Sequence, residues 1–168
     1  MNILFQCIQK AEKSKKYLWL LNRLINFAVP FNKPHSFKVT GIAADQVKIF
    51  TPYKKKNFNH VRGIHACAIA TAGELSAGLL LMFHFNPIQY RMILSHIDIT
   101  YHYQAKKDIV STATLTTMEK ETILQKLSID NKTTQDITSE IKDIDNQLIA
   151  TVKTTWQLKK WSDVKTKR

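Results

Sequence analysis

The chain has 168 residues, a formal net charge of +12 and 44% hydrophobic residues. That length holds one domain with a real core, and that apolar content excludes wholesale disorder. The excess of positive charge is diffuse or terminal, as in Lys54-Lys55-Lys56 and from Lys159 to Arg168. No zinc-ligand spacing, basic recognition helix or aromatic–glycine ribonucleoprotein motif accompanies it, so nucleic acid is not expected as a partner. The basic surface suits a phosphate-rich ligand equally well.

From Ile3 to about Phe27 the sequence reads as helical, with apolar clusters separated by Glu12-Lys13-Ser14-Lys15-Lys16. No cleavable leader is expected, because those lysines follow the first apolar cluster rather than precede it. Tyr17-Leu18-Trp19-Leu20-Leu21 has the look of a membrane-seeking patch, but Asn22, Arg23 and Asn26 interrupt it well short of a span. A helix packed on the domain or on a partner is preferred to an interfacial helix touching lipid. Pro30 and Pro34 end the helical signal. Both cysteines, Cys7 and Cys67, fall in apolar helical segments and read as packed small hydrophobes in a reduced, cytoplasmic setting. The expected division is an N-terminal helical segment at 1–34, a single domain at 35–161 and a basic tail at 162–168.

Strand candidates follow at Phe37 to Ala43 and Gln46 to Phe50, then the loop KKKNFNHVRGI and an apolar helix from Ala66 to Phe83. Asn86-Pro87 breaks the helix. Ile97 to Tyr103 alternates apolar and polar residues, Ile109 to Leu115 is β-branched, and Thr133 to Ile141 is another strand candidate. Residues Glu119 to Ile129 fit a short helix or an irregular bridge. In the last strand Leu148, Ala150, Val152, Trp156 and Leu158 share one face, against Gln147, Thr151, Lys153, Gln157 and Lys159. A helix apolar on nearly every side must be covered on nearly every side. The expected fold class is therefore α+β, an antiparallel sheet wrapped around one long central helix.

That helix is long enough to cross a bilayer, but it carries Glu74 near its centre. An acid at mid-membrane costs about 2.5–3.5 kcal/mol, and the small residues around it suit close packing in a soluble core. Ala66, Ala70, Gly73 and Ala77 recur at helical spacing, where a sheet or helix can approach closely. A solitary buried acid is expensive unless well paired. Glu74 is either a structural acid, bonded for example to Ser76, or a carboxylate whose burial raises its pKa for proton transfer.

Asn59-His60-Val61-Arg62-Gly63-Ile64-His65, then Ala66 and, nine positions past the histidine, Glu74, resembles the active-site segment of hotdog-fold thioesterases. The resemblance is to the phenylacetate-pathway type, with an Asn, a His-Gly-Gly turn and a helix acid at this spacing. It is closer still to an uncharacterised hotdog group running Asn, Gly-x-Ile-His, small residues, Leu-Ala-Glu. Ala66 and Cys67 stand where the thioesterases usually have glycines.

The resemblance implies a hotdog fold with an extra N-terminal helix. It also implies a homodimer, or a tetramer as a dimer of dimers, with sites at the twofold interface. A regular helix places Glu74 ~13.5 Å and about half a turn from His65, so one chain alone does not bring the two to one small group. The implied activity is hydrolysis of an acyl-CoA or acyl-carrier thioester, coenzyme A entering only as part of the substrate, with no cofactor and no metal. Glu74 would be base or nucleophile, Asn59 would position water or thioester, and His65 would orient the loop or bond the substrate. His60, Gly63, Ala66 and Cys67 would line the substrate, with N–H groups at the helix tip facing the oxyanion. Asn59 as a turn former and His65 as a helix-start residue remain open structural readings. Two rival activities remain open as well. One is a hotdog module that binds acyl-CoA or lipid without cleaving it. The other is a hotdog dehydratase of 3-hydroxyacyl thioesters, whose proline-rich turn is absent here. His35, His84, His96 and His102 form no ligand pattern; His96 and His102 share a face with Asp98, read as an exposed polar face.

Overall fold

The computed structural model describes residues 2–165; residues 166–168, the end of the expected basic tail, lie outside the described residues. The N-terminal segment forms two helices rather than one, α1 (Asn2–Ala11) and α2 (Lys15–Ala28). The break falls at the polar run, where Ser14 is extended at φ −144° and begins α2. Cys7, Ile8 and Ala11 of α1 and Leu21 and Ile25 of α2 are buried at helical spacing. Asn22 has a structural use: its Oδ1 accepts from the Val39 N–H at 2.8 Å, and its Nδ2 donates to the Val39 carbonyl at 2.9 Å. That paired bond ties α2 to the first strand. A 3-10 turn, Pro30–His35, then leads to the sheet.

Six strands follow: β1 (Lys38–Ile42), β2 (Gln46–Thr51), β3 (Tyr90–Tyr101), β4 (Ile109–Thr114), β5 (Lys132–Asp143) and β6 (Leu148–Lys160). They pair antiparallel in the order β1-β2-β4-β5-β6-β3. The central helix α3 (Ala66–His84) packs on β2, β4, β5 and β6. The sheet side of the helix carries the small residues. A β-carbon on Gly73 would stand 2.7 Å from the Val152 Cβ, so only glycine lets helix and β6 meet there. Beside it a buried hydroxyl cluster satisfies the polar atoms. Ser76 Oγ donates to the Gly73 carbonyl at 2.9 Å and sits 2.9 Å from Ser111 Oγ and 3.1 Å from Ser139 Oγ. Along β6, Ala150, Val152, Thr154, Trp156 and Leu158 face inward, as the alternation predicts.

Residues 117–130 are a full helix, α4 (Thr117–Asp130), not an irregular bridge. Its start is a capping box: the Glu119 N–H donates to Thr116 Oγ1 at 3.2 Å and the Thr116 N–H donates to Glu119 Oε2 at 2.8 Å. Strand β3 forms one edge of the sheet, and Ile93, Ile97 and Tyr101 on it are exposed.

Candidate active site

The loop before α3 is fixed by its own polar groups. Asn59 Oδ1 accepts from the Gly63 N–H at 2.9 Å and the Val61 N–H at 3.1 Å. The Asn59 N–H closes the turn on the Gly63 carbonyl at 2.8 Å. Its carboxamide oxygen is thus a turn former, the open structural reading of the sequence. Arg62 takes the left-handed conformation at φ 58°, and its carbonyl accepts from the Tyr53 hydroxyl at 2.6 Å. Gly63 is buried and not left-handed; a β-carbon there would lie 3.0 Å from Gln104 Cγ. His60 is exposed at the tip of the turn.

Asn57, which the motif did not single out, is the loop's buried anchor. Its Nδ2 donates to the Pro52 and His35 carbonyls at 2.9 and 3.1 Å, and its Oδ1 lies 3.0 Å from His35 Nδ1. The Asn57 carbonyl accepts the His65 N–H at 2.7 Å, which sets the first residue of the helix.

His65 is the N-cap of α3, and its Nδ1 accepts the Cys67 N–H at 3.1 Å. A ring nitrogen that accepts a hydrogen bond carries no proton, so in this contact the ring's N–H is on Nε2. One expected oxyanion donor, the Cys67 N–H, is therefore occupied. The Ala66 N–H has no hydrogen bond among the described residues, and Ala66 itself is exposed. Cys67 is exposed too, which corrects its reading as a packed hydrophobe; Cys7 alone is buried. The Tyr101 hydroxyl donates to the Ala66 carbonyl at 3.1 Å and steadies this tip.

Glu74 lies on the face of α3 turned away from the sheet-bound serines. Its carboxylate makes no hydrogen bond or ion pair among the described residues, and Ser76 bonds elsewhere. Burial pushes its pKa above the ordinary glutamate value. It faces a cavity of about 530 Å³ between α3, the N-terminal segment, the start of β3 and the indoles of Trp156 and Trp161. The Trp156 ring reaches the carboxylate's surroundings because residue 78 is glycine: a β-carbon on Gly78 would lie 3.0 Å from Cη2 and 3.9 Å from Glu74 Oε1. Both indoles are fixed, Trp156 Nε1 to Thr154 Oγ1 and Trp161 Nε1 to the Pro87 carbonyl, each at 2.9 Å.

His65 and Cys67 line a second, smaller cleft of about 190 Å³, with His35 and Lys56. Phe31 and Thr71 border both cavities, so the two adjoin along one side of α3. Within one chain the expected site residues are therefore divided. His65 and Cys67 share one cleft, Glu74 occupies the other, and Asn59 and His60 line neither. No group of three His, Cys, Asp or Glu residues among the described residues is placed to hold a metal ion.

The family model described as "Domain of unknown function (DUF4442)" matches residues 18–158. No curated protein matches the chain. Among solved structures it is similar to PA5026 of Pseudomonas aeruginosa, a protein of unknown function described as a probable thioesterase. That match has 20% identity over 84% of this chain and 95% of that one, with a TM-score of 0.78. It is similar also to the thioesterase HI1161 of Haemophilus influenzae, at 12% identity over 89% and 94% of the two chains and a TM-score of 0.70. A mutant of the thioesterase SAV0944 of Staphylococcus aureus matches at 17% identity over 78% and 99%, with a TM-score of 0.65. At these identities the likeness is one of fold, and the fold is the hotdog.

Proposed function

The chain belongs to the DUF4442 family of hotdog proteins, and from that premise we propose that it hydrolyses acyl thioesters, carried on coenzyme A or on a carrier protein. The observation that carries the reading is Glu74: an unpartnered, desolvated carboxylate on the central helix, facing an apolar cavity of about 530 Å³. Burial raises the proton affinity of such a group toward the range a general base needs.

In the proposed step a water oxygen attacks the thioester carbonyl carbon while Glu74 takes the water's proton. The carbonyl oxygen becomes an oxyanion, met by the exposed Ala66 N–H and by His65 Nε2–H. Collapse breaks the C–S bond, and the proton on Glu74 passes to the departing thiolate. Neither a cofactor nor a metal is needed. His60, Gly63 and Cys67 would border the substrate at the loop, and Asn59 would act through the loop it holds.

The division of these groups between two clefts supports a homodimer in which the loop and helix tip of one chain meet Glu74 of the other. The exposed β3 edge, with Ile93, Ile97 and Tyr101, offers the pairing surface for a second copy. A dimer of dimers is compatible with the same edge. A cytoplasmic setting, with exposed Cys67 kept reduced, completes the proposal. The capture of the Cys67 N–H by His65 favours the second reading, an acyl-CoA binder that does not cleave, because it leaves fewer donors for an oxyanion.

The test is release of free thiol from a panel of acyl-CoA thioesters by the wild-type chain and by Glu74→Gln. Turnover lost in the variant supports hydrolysis; binding without thiol release from either protein supports the binder. Loss of the conjugated bond of an enoyl thioester would indicate the dehydratase instead.

A further inference from the structure

The large cavity has a head and a tail. On α3 its floor is Thr71, Glu74, Leu75, Gly78, Leu79 and Met82, one stripe of the helix. The stripe rises eleven residue steps from Thr71 to Met82, ~16.5 Å, and the eight steps from Glu74 to Met82 span ~12 Å. The N-terminal segment forms the roof through Leu4, Ile25, Val29 and Asn32. Asn32 is the unexpected member. It is 3% exposed as a residue and lines the cavity, and its carboxamide makes no hydrogen bond among the described residues. An amide N–H that lines the cavity without a protein acceptor is free to donate to a ligand's carbonyl. Its neighbour Phe31 borders both clefts together with Thr71, which puts Asn32 toward the Glu74 end. At the other end Tyr90 packs edge-on against Phe85, and Arg91 follows with a buried Nε that lacks a partner among the described residues. A hydrocarbon reaching past Met82 meets that guanidinium.

Resting on the hydrolase reading for its chemistry, we propose that this slot binds the acyl chain of the thioester, with Asn32 Nδ2–H on the carbonyl beside Glu74 and the methyl end at Met82. The polypeptide's own ~3.6 Å for three extended bonds gives ~1.2 Å per bond, so ~12 Å holds a straight chain of about ten carbons. The N-terminal segment, packed against the sheet and the central helix, is thus the specificity wall of the site.

The experiment measures binding of alkyl-CoA thioethers, which cannot be hydrolysed, from butyl to hexadecyl, to the full chain. Affinity rises by about fourfold per methylene, the equivalent of ~0.8 kcal/mol, and stops rising near decyl. Met82→Trp moves the break to shorter chains. Leu4→Trp, on the half-buried roof, provides the same readout should the first variant fold poorly. A 2-oxoalkyl-CoA, which restores the carbonyl, binds about two- to tenfold more tightly than the thioether of equal length, and Asn32→Leu removes that difference. Affinity that ignores chain length, a break that neither tryptophan moves, or a carbonyl preference that survives Asn32→Leu overturns the inference. The two proposals fail separately. A break near decyl without thiol release from acyl-CoA leaves the slot and removes the hydrolase; thiol release with flat affinity does the reverse.

Discussion

Replacing Glu74 with glutamine keeps the shape of the side chain and removes its charge and its basicity. Positioned general bases contribute about 10²–10⁴ in rate, which corresponds to ~2.7–5.4 kcal/mol of barrier, so thiol release should fall by that factor. Stability should move the other way. Burial raises the carboxyl's pKa in the folded chain, with no partner among the described residues to offset it. The folded state then holds this proton more tightly than the unfolded state. Glu74's contribution is intact below the ordinary glutamate pKa and is lost as pH rises through the raised, folded value. Across that window the loss cannot exceed about 1.36 kcal/mol per pH unit. The glutamine variant should therefore be the more stable protein at neutral pH and lose its advantage in acid. Urea denaturation at a series of pH values reads the stability, and thiol release on the same samples reads the rate. The wild-type rate should rise with pH along a limb displaced above the usual carboxylate range, because only the ionised base accepts a proton. A variant less stable than wild type at neutral pH would mean the carboxylate has a favourable partner in solution. That would refute the account of it as a free base, as would turnover within tenfold of wild type.

Other changes probe the frame. Gly73→Ala puts a β-carbon 2.7 Å from Val152 Cβ, so overpacking of about 1–3 kcal/mol should exceed the ~1 kcal/mol gain in helix propensity. Val152→Ala should restore it only in part, since the Val152 Cβ is itself in the clash; urea midpoints of both variants check this. His65→Ala should cost about 0.5–2 kcal/mol through the lost cap, while His65→Ser keeps a capping oxygen and recovers stability but not turnover. Ser76→Ala strands the Ser111 hydroxyl in the core and should cost about 1–3 kcal/mol by thermal melting. The pair Ser76→Ala with Ser111→Ala should cost less than the sum of the two single changes.

The central helix and the sheet around it were legible because burial imposes periodicity. An all-round apolar stretch needs a cover, and β6 alternates with a period of two through Val152, Thr154 and Trp156. Gly73 and Glu74 stood out for the same reason, as a gap and a charge where bulk and grease were expected. The helix at Thr117–Asp130 carried a readable signal, Thr116 and Glu119 three residues apart, that its weak amphipathicity obscured. The roles of Asn59 and Asn32 were not legible. Which of two asparagines spends its oxygen on its own loop, and which is left unpaired in a cavity, is decided by tertiary contacts. Asn32 sits in a proline-flanked turn 42 residues before Glu74, and no local spacing relates it to the helix. The N-cap role of His65 was an open alternative; only the direction of its ring decides that Nδ1 turns to the Cys67 N–H.

Whether one chain or two build the site has a direct functional consequence. If Glu74 of one protomer works with His65 of the other, each single variant disables both sites of its own homodimer. Unfolding and refolding equal amounts of Glu74→Gln and His65→Ser together redistributes chains at random, so half of the dimers are mixed. In a mixed dimer, one site joins the intact Glu74 of the His65→Ser chain to the intact His65 of the Glu74→Gln chain; the other site lacks both. Activity should thus return to about one quarter of the wild-type level from two inactive parents. If both groups serve the same site from one chain, every site in every dimer stays broken and mixing restores nothing. The outcome also tests the edge strand: Ile97→Lys on both variants, placed to oppose pairing at β3, should yield monomers on gel filtration and abolish the recovery. Recovery that persists in such monomers would mean that β3 is not the route by which the two clefts are joined.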